Sequence, residues 1–276
     1  MTPRLPILAA STVIVALALG GCSVPGSGGG ADADPTGSPA SDAPESELSG
    51  TLTIFAAASL GGAFDELAAE FEALHPDLDV APITYDGSAT LAVQLIEGAS
   101  ADVFASADER NMAKLDDAGL LAGDPETFAT NVLEIAVQPG NPLDIGGLDD
   151  LGDEASGDPL VVLCAPEVPC GAAAAKLLEL AGVALTPASE EQNVSAVLTK
   201  VRSGEADAGL VYVTDIAAAA GEVDGVPIEG TDAATNVYPI AALAGAANPE
   251  AARAFVDFVR STEGAAVLAS FGFGSP

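Results

Sequence analysis

The chain has 276 residues, 41 of them acidic and 8 basic, for a formal net charge of −33. That balance excludes nucleic acid and anionic membrane surfaces as partners recognised by charge, because both call for a basic face. One histidine and three cysteines leave little material for a soft-metal centre or for a nucleophile that depends on an imidazole base.

At the N-terminus, Arg4 is followed by an apolar run over residues 5–19 and then by Leu19-Gly20-Gly21-Cys22. The run is too short to span a bilayer comfortably and has the proportions of a signal-peptide core. Its ending resembles the lipobox of bacterial lipoproteins, which implies that Cys22 is lipidated and becomes the mature N-terminus, anchoring the protein to the extracytoplasmic face of the cell membrane. An ordinary signal cleaved at small residues is the alternative. Residues 23–50 are rich in Gly, Ser, Pro, Asp and Ala and have almost nothing to bury, so they read as a disordered tether. Its root-mean-square span is about 30 Å on flexible-linker scaling. The folded part then starts near Gly50 and runs for about 225 residues, enough for one large or two modest α/β lobes.

From there strand and helix patterns alternate. Residues 51–60 (TLTIFAAASL) run an apolar strand into a serine that opens a helix, and residues 83–91 (ITYDGSATL) repeat the arrangement. Leu60, Ala63, Phe64, Leu67, Ala68, Phe71 and Leu74 share one helical face, which His75-Pro76 ends. The pattern predicts a strand over 80–85, a helix over 90–97, a strand over 101–106 and a helix over 109–118. A strand over 133–137 leads into Pro139-Gly140-Asn141-Pro142, which is turn chemistry. Further strands are expected over 160–164, 208–213 and 237–243, and helices over 171–181, 195–202, 249–260 and 263–270. No internal repeat is visible. Strands separated by helices define an α/β protein with mainly parallel sheets covered on both faces.

The two serines supply the first chemical hint. First-turn N–H groups of a helix have no partner inside it, and the macrodipole makes that end partly positive. Ser59 and Ser88 can cap their own helices, or they can turn their hydroxyls outward as donors. Two such ends facing one point make a site for a small anion without any lysine or arginine. The overall negative charge does not forbid this, since surface carboxylates are screened over about 8–10 Å at physiological salt. Cys164 and Cys170, close together in an exported chain, read as a disulfide. Closing so small a loop stabilises by about 2–2.5 kcal/mol in the chain-entropy model. The alternative for this pair, a metal site, lacks further soft ligands nearby.

Residues 55–60 (FAAASL), 64–67 (FDEL), Gly87-Ser88 and above all 98–108 (GASADVFASAD) resemble the molybdate-binding proteins of bacterial ABC importers. Residues 168–171 (VPCG), Val211-Tyr212, 248–255 (NPEAARAF) and Phe271-Gly272-Phe273 are similar to that family as well, so the resemblance covers essentially the whole folded part. It implies a two-lobed periplasmic-binding-protein fold of type II, crossed twice by the chain. Residues 51–131 plus 238–276 would form lobe one and 132–237 lobe two, with the ligand in the cleft. It also implies a ligand, molybdate or tungstate, with no cofactor and no catalysis. A membrane permease with its ATPase would be the partner, and the binding protein a monomer. The metal would be held only through its oxygens, by Ser59, Ser88, the backbone at Cys170 and Val194, and the Tyr212 hydroxyl. Each assignment has a plainer counterpart. These are a cap for either serine, a purely structural disulfide for Cys170, a hydrophobic staple for Val194, and a core hydroxyl bonded to a carbonyl for Tyr212. This chain departs from the family pattern at Ala89, where glycine is usual, and at Cys164-Ala165-Pro166, where the family begins its loop with Gly-Asp-Pro. A sulfate-type or tungstate-selective binder of the same fold is the nearest alternative. A secreted hydrolase using either serine would need His75 as base, yet that histidine sits at a helix end before a proline. A calcium module would need an Asp-rich loop that the chain lacks.

Overall fold

The computed structural model describes residues 47–152 and 158–276. The signal segment 1–22 with Cys22, and all but the last four residues of the tether 23–50, lie outside those residues. Leu48 is already buried in the core, and Gly50 opens β1 (Gly50–Leu52), so the ordered body begins slightly ahead of the expected boundary.

Next come β2 (Ile54–Ala57), a 3-10 turn (Ala58–Leu60), α1 (Gly61–Leu74), β3 (Leu78–Val80), β4 (Thr84–Asp86), α2 (Ser88–Ile96), β5 (Val103–Ala105) and α3 (Glu109–Asp117). The expected strand over 80–85 is thus two strands. Ala81 N–H still donates to Leu52 O, but Pro82 has no N–H to continue a ladder. After β6 (Glu126–Asn131) the chain passes through a single residue, Val132, into β7 (Leu133–Val137). Then follow β8 (Val161–Cys164), α4 (Pro169–Ala181), β9 (Ser189–Glu191), α5 (Val194–Ser203), β10 (Ala208–Tyr212), α6 (Val213–Ala218) and β11 (Asp224–Pro227). The last elements are β12 (Asn236–Ala242), α7 (Pro249–Val259) and α8 (Thr262–Ser270).

Two five-stranded sheets result, ordered β4-β2-β5-β12-β6 and β11-β7-β10-β8-β9, while β1 and β3 form a separate parallel pair. β2, β5, β8 and β10 are buried at every residue, as strands covered on both faces must be, which explains their continuous apolar runs. The neighbours β4-β2-β5 and β10-β8-β9 are parallel, following the strand–helix alternation. The pairs made by β12, β6, β7 and β11 are antiparallel, so each sheet is mixed. Those are the strands on either side of the two crossings. The outgoing crossing is at Val132 and the return lies between β11 and β12; Asn131 and Asn236 are register partners, so the crossings run side by side.

The two cores differ in composition. All nine phenylalanines fall outside residues 132–237. Phe64, Phe71, Phe128 and Phe255 pack edge-on or tilted, at centroid distances of 5.3–6.0 Å, between α1, α7 and the first sheet. Each buried ring contributes about 1.5–3 kcal/mol by area. The second core is built from Val, Leu, Ile and Ala, with Tyr212 as its one aromatic residue. No helix among the described residues is long and apolar enough to cross a membrane.

Candidate functional site

Four helical N-termini meet at one small cavity, two from each sheet's set of helices. Lining it are Ser59, Ser88, Cys170, Val194 and Tyr212, together with small or apolar neighbours such as Ala58, Gly87, Ala107 and Pro169. Among the described residues no Lys, Arg, Asp or Glu lines it. The cavity is small, which suits one compact ligand over a peptide or an oligosaccharide.

Ser59 sits in the 3-10 turn that joins β2 to α1, two residues before the α-helix proper. It does not cap the helix: its Oγ lies 3.0 Å from the hydroxyl of Tyr238. Asn131 Nδ2 donates to Thr214 Oγ1 at 2.8 Å and lies 3.5 Å from the Tyr238 hydroxyl. Either hydroxyl can donate in this pair; when Tyr238 donates, the serine proton is free for the cavity. Ser88 is the first residue of α2, and Gly87 holds the cap position. Ser88 Oγ accepts the Ala107 N–H at 3.0 Å, which again leaves its own proton to donate elsewhere. The capping alternative is therefore not what either serine does.

On the opposite wall, α4 starts at Pro169, two residues ahead of the sequence expectation, because a proline ring is preorganised for the first helical position. Proline has no N–H, so Cys170 supplies the helix's first amide proton. Cys164 and Cys170 are joined by a disulfide across a six-residue separation. A Cβ at Gly171 would stand 2.0 Å from Ala165 O, so only glycine lets the loop fold this tightly against the helix. In α5, Asn193 is the cap, its Oδ1 accepting the Ala196 N–H at 2.9 Å. Val194 is the first helical residue, and its N–H is among those the helix cannot satisfy.

Tyr212 ends β10 and precedes α6. The residue is 1 % exposed, and among the described residues its hydroxyl has no partner in good hydrogen-bond geometry, the Tyr238 hydroxyl being its nearest polar neighbour. Burial pushes that hydroxyl well above the usual phenol range, with the nearby Tyr238 and Asp215 acting in the same direction. It therefore stays protonated as a donor. Its backbone N–H donates to Asp215 Oδ2 at 2.9 Å, and burial lifts the Asp215 carboxyl to about 7 against that opposing bond.

All five residues expected from the sequence thus line one cavity. His75 is far from this chemistry in kind: it caps the C-terminus of α1 and packs its ring on Phe71 at 4.6 Å. Among the described residues no group of three or more His, Cys, Asp or Glu is placed to ligate a bare metal ion. Tyr238, fully buried and bonded to Ser59, is the member that sequence reasoning missed. The rule that a buried tyrosine hydroxyl seeks a partner would have flagged it as readily as Tyr212.

Residues 52–274 match the family described as bacterial extracellular solute-binding protein. The chain is 43 % identical over 226 residues to the molybdate-binding protein ModA of Mycobacterium tuberculosis (strain ATCC 25618 / H37Rv), covering 82 % of this chain and 85 % of the relative. In solved structures it superposes on the periplasmic molybdate-binding protein of Azotobacter vinelandii with a TM-score of 0.68 at 22 % identity, covering 82 % of this chain and 99 % of the other. The sulfate-binding protein SubI from Mycobacterium tuberculosis H37Rv gives 0.70 at 20 % identity over 81 % of this chain and 86 % of the other. The chain belongs to the bacterial extracellular solute-binding proteins, with their two-lobed periplasmic-binding-protein fold, a family of binders and not of enzymes.

Proposed function

We propose that this protein captures molybdate, and tungstate with little discrimination, outside the cytoplasm and delivers it to an ABC permease and its ATPase. The observation that carries this reading is the Tyr212 hydroxyl, buried with no partner in good geometry among the described residues, beside a cavity ringed by helix N-termini and lined by no charged side chain of the described residues. A burial of that kind costs about 1–3 kcal/mol unless the hydroxyl meets an acceptor. The likeness to molybdate-binding relatives supports the same ligand. The oxyanion is held by the hydroxyls of Ser59, Ser88 and Tyr212 and by the N–H groups of Cys170 and Val194. Micromolar binding needs about 8 kcal/mol, and hydrogen bonds to charged groups contribute about 1.5–3 kcal/mol each, so five donors supply energy of the required order.

Selectivity follows from protonation and size. Hydrogen phosphate carries a proton that needs an acceptor, and no carboxylate lines the cavity. Sulfate is unprotonated but smaller, so the same fixed donors cannot all reach its oxygens. Lipidation of Cys22 and the 23–50 tether hold a monomeric binding domain near the membrane that carries the permease. Closure of residues 51–131 plus 238–276 against 132–237 about the paired crossings encloses the ion.

A thermal-shift and titration-calorimetry panel on the soluble domain tests the ligand. Molybdate and tungstate should raise the melting temperature and bind with similar affinity, with sulfate and phosphate far weaker. Tight sulfate binding with no response to molybdate would replace this reading with the sulfate one.

A further inference from the structure

Asp86 closes β4 immediately before the Gly87-Ser88 start of α2, and Asn193 caps α5 on the other side of the cleft. Asn193 Nδ2 donates to Asp86 Oδ1 at 2.8 Å, and Asp86 Oδ1 also accepts the Gly87 N–H at 2.7 Å. The other end of the same amide, Asn193 Oδ1, receives the Ala196 N–H. Backbones touch at this seam: a Cβ on Gly87 would lie 1.9 Å from Gln192 O. Each clasped residue is next to, or one removed from, a proposed ligand donor, Ser88 on one side and Val194 on the other. A second link lies further out, where the Arg110 guanidinium donates to Pro166 O and Glu167 O at 3.2 and 2.9 Å.

We propose that Asp86 and Asn193 are positioning residues that clasp the cleft shut and set how long the ligand stays, without touching it. This rests on the oxyanion reading of the cavity. One amide does both jobs: its oxygen orients the first turn of α5, and its nitrogen ties that turn to the opposite sheet. Closing the cleft and aiming the Val194 N–H are then a single event. The clasp must part before the ligand can leave, so its loss acts first on dissociation, and a more open ligand-free cleft does not slow association.

Reversing the pair tests it. Asn193→Asp keeps a helix cap, since aspartate caps as well as asparagine. It faces Asp86 with a second carboxylate, however, and removes the donor. Molybdate dissociation should quicken by about tenfold, with an association rate no slower than the parent's and a ligand-free melting temperature near that of the parent. Asp86→Asn combined with Asn193→Asp restores a donor–acceptor pair with the roles exchanged, and should return dissociation to within about threefold of the parent. Small-angle scattering of the ligand-free proteins gives the second readout. Asn193→Asp should be more open than the parent, and the double variant should not. Parent-like dissociation in Asn193→Asp, or a double variant no better than the single one, overturns the clasp. Failure of the parent to bind molybdate at all overturns the oxyanion reading instead, and the scattering comparison still decides whether the clasp holds the cleft closed.

Discussion

Tyr212 is a residue held in an unfavourable state by its surroundings. Its hydroxyl is buried with no partner in good geometry among the described residues, a cost that the proposed anion would relieve. Tyr212→Phe should therefore separate binding from stability. Molybdate affinity should fall by about tenfold to a hundredfold, the loss of one bond to a charged acceptor. The ligand-free variant should be as stable as the parent or more so, as urea unfolding will read. Asp215, which accepts the Tyr212 N–H, gives a pH signature. Burial raises its carboxyl from 3.8 to about 7, so the folded state binds the proton more tightly than the unfolded chain does. Stability from this group is present in full below the unfolded value and is lost as pH rises through about 7, a swing of about 4 kcal/mol. Asp215→Asn keeps an acceptor for the N–H and cannot ionise. It should stabilise the protein at pH 8 relative to the parent by clearly more than at pH 5; equal differences at both values would refute the assignment.

At the scale of elements, the loop from β8 to α4 carries two duties. On its inner side Cys170 presents the first amide of α4, and on its outer side Pro166 and Glu167 offer carbonyls to Arg110. Ala165 N–H bonds Glu191 O and Val168 N–H bonds Ala165 O, so the loop is tied to β9 and to itself. The disulfide completes that enclosure. Replacing Cys164 and Cys170 by alanine should cost about 2 kcal/mol of stability through loop-closure entropy. It should also weaken molybdate binding several-fold, because the Cys170 N–H is no longer pre-ordered. Unchanged affinity in protein shown to lack the bridge would leave the disulfide a purely structural brace. The same scale shows where sequence patterns fail. β9 (SEE) and β11 (DGVP) have neither apolar alternation nor β-branched runs, and only pairing along β8 and β7 makes them strands. α6 is six residues of small and mixed side chains, too short for a periodicity to register.

Across the whole molecule, a net charge of −33 is compatible with the proposed anion site because the two act over different distances. Surface carboxylates are screened within about 8–10 Å, whereas helix ends and buried hydroxyls act at contact range in a dry cleft. The division of labour between the halves follows their composition. Aromatic residues brace the half formed by the first sheet, and Val, Leu, Ile and Ala fill the core of the second. The fold class was legible in the chain, and so were five residues that line the cavity, whose role as ligand donors is the proposal made above. Each is written in local chemistry: an apolar strand, a small residue at a helix start, a hydroxyl on an apolar strand. Tyr238 and the Asp86–Asn193 bond were not, because each depends on a partner more than a hundred residues away. The sequence alone determined which helix ends would offer unpaired donors, since caps, prolines and glycines act over a few residues. Only the tertiary structure decided that four of those ends face one point and that a single amide bridges the cleft beside them, because long-range packing fixes the direction in which each end points.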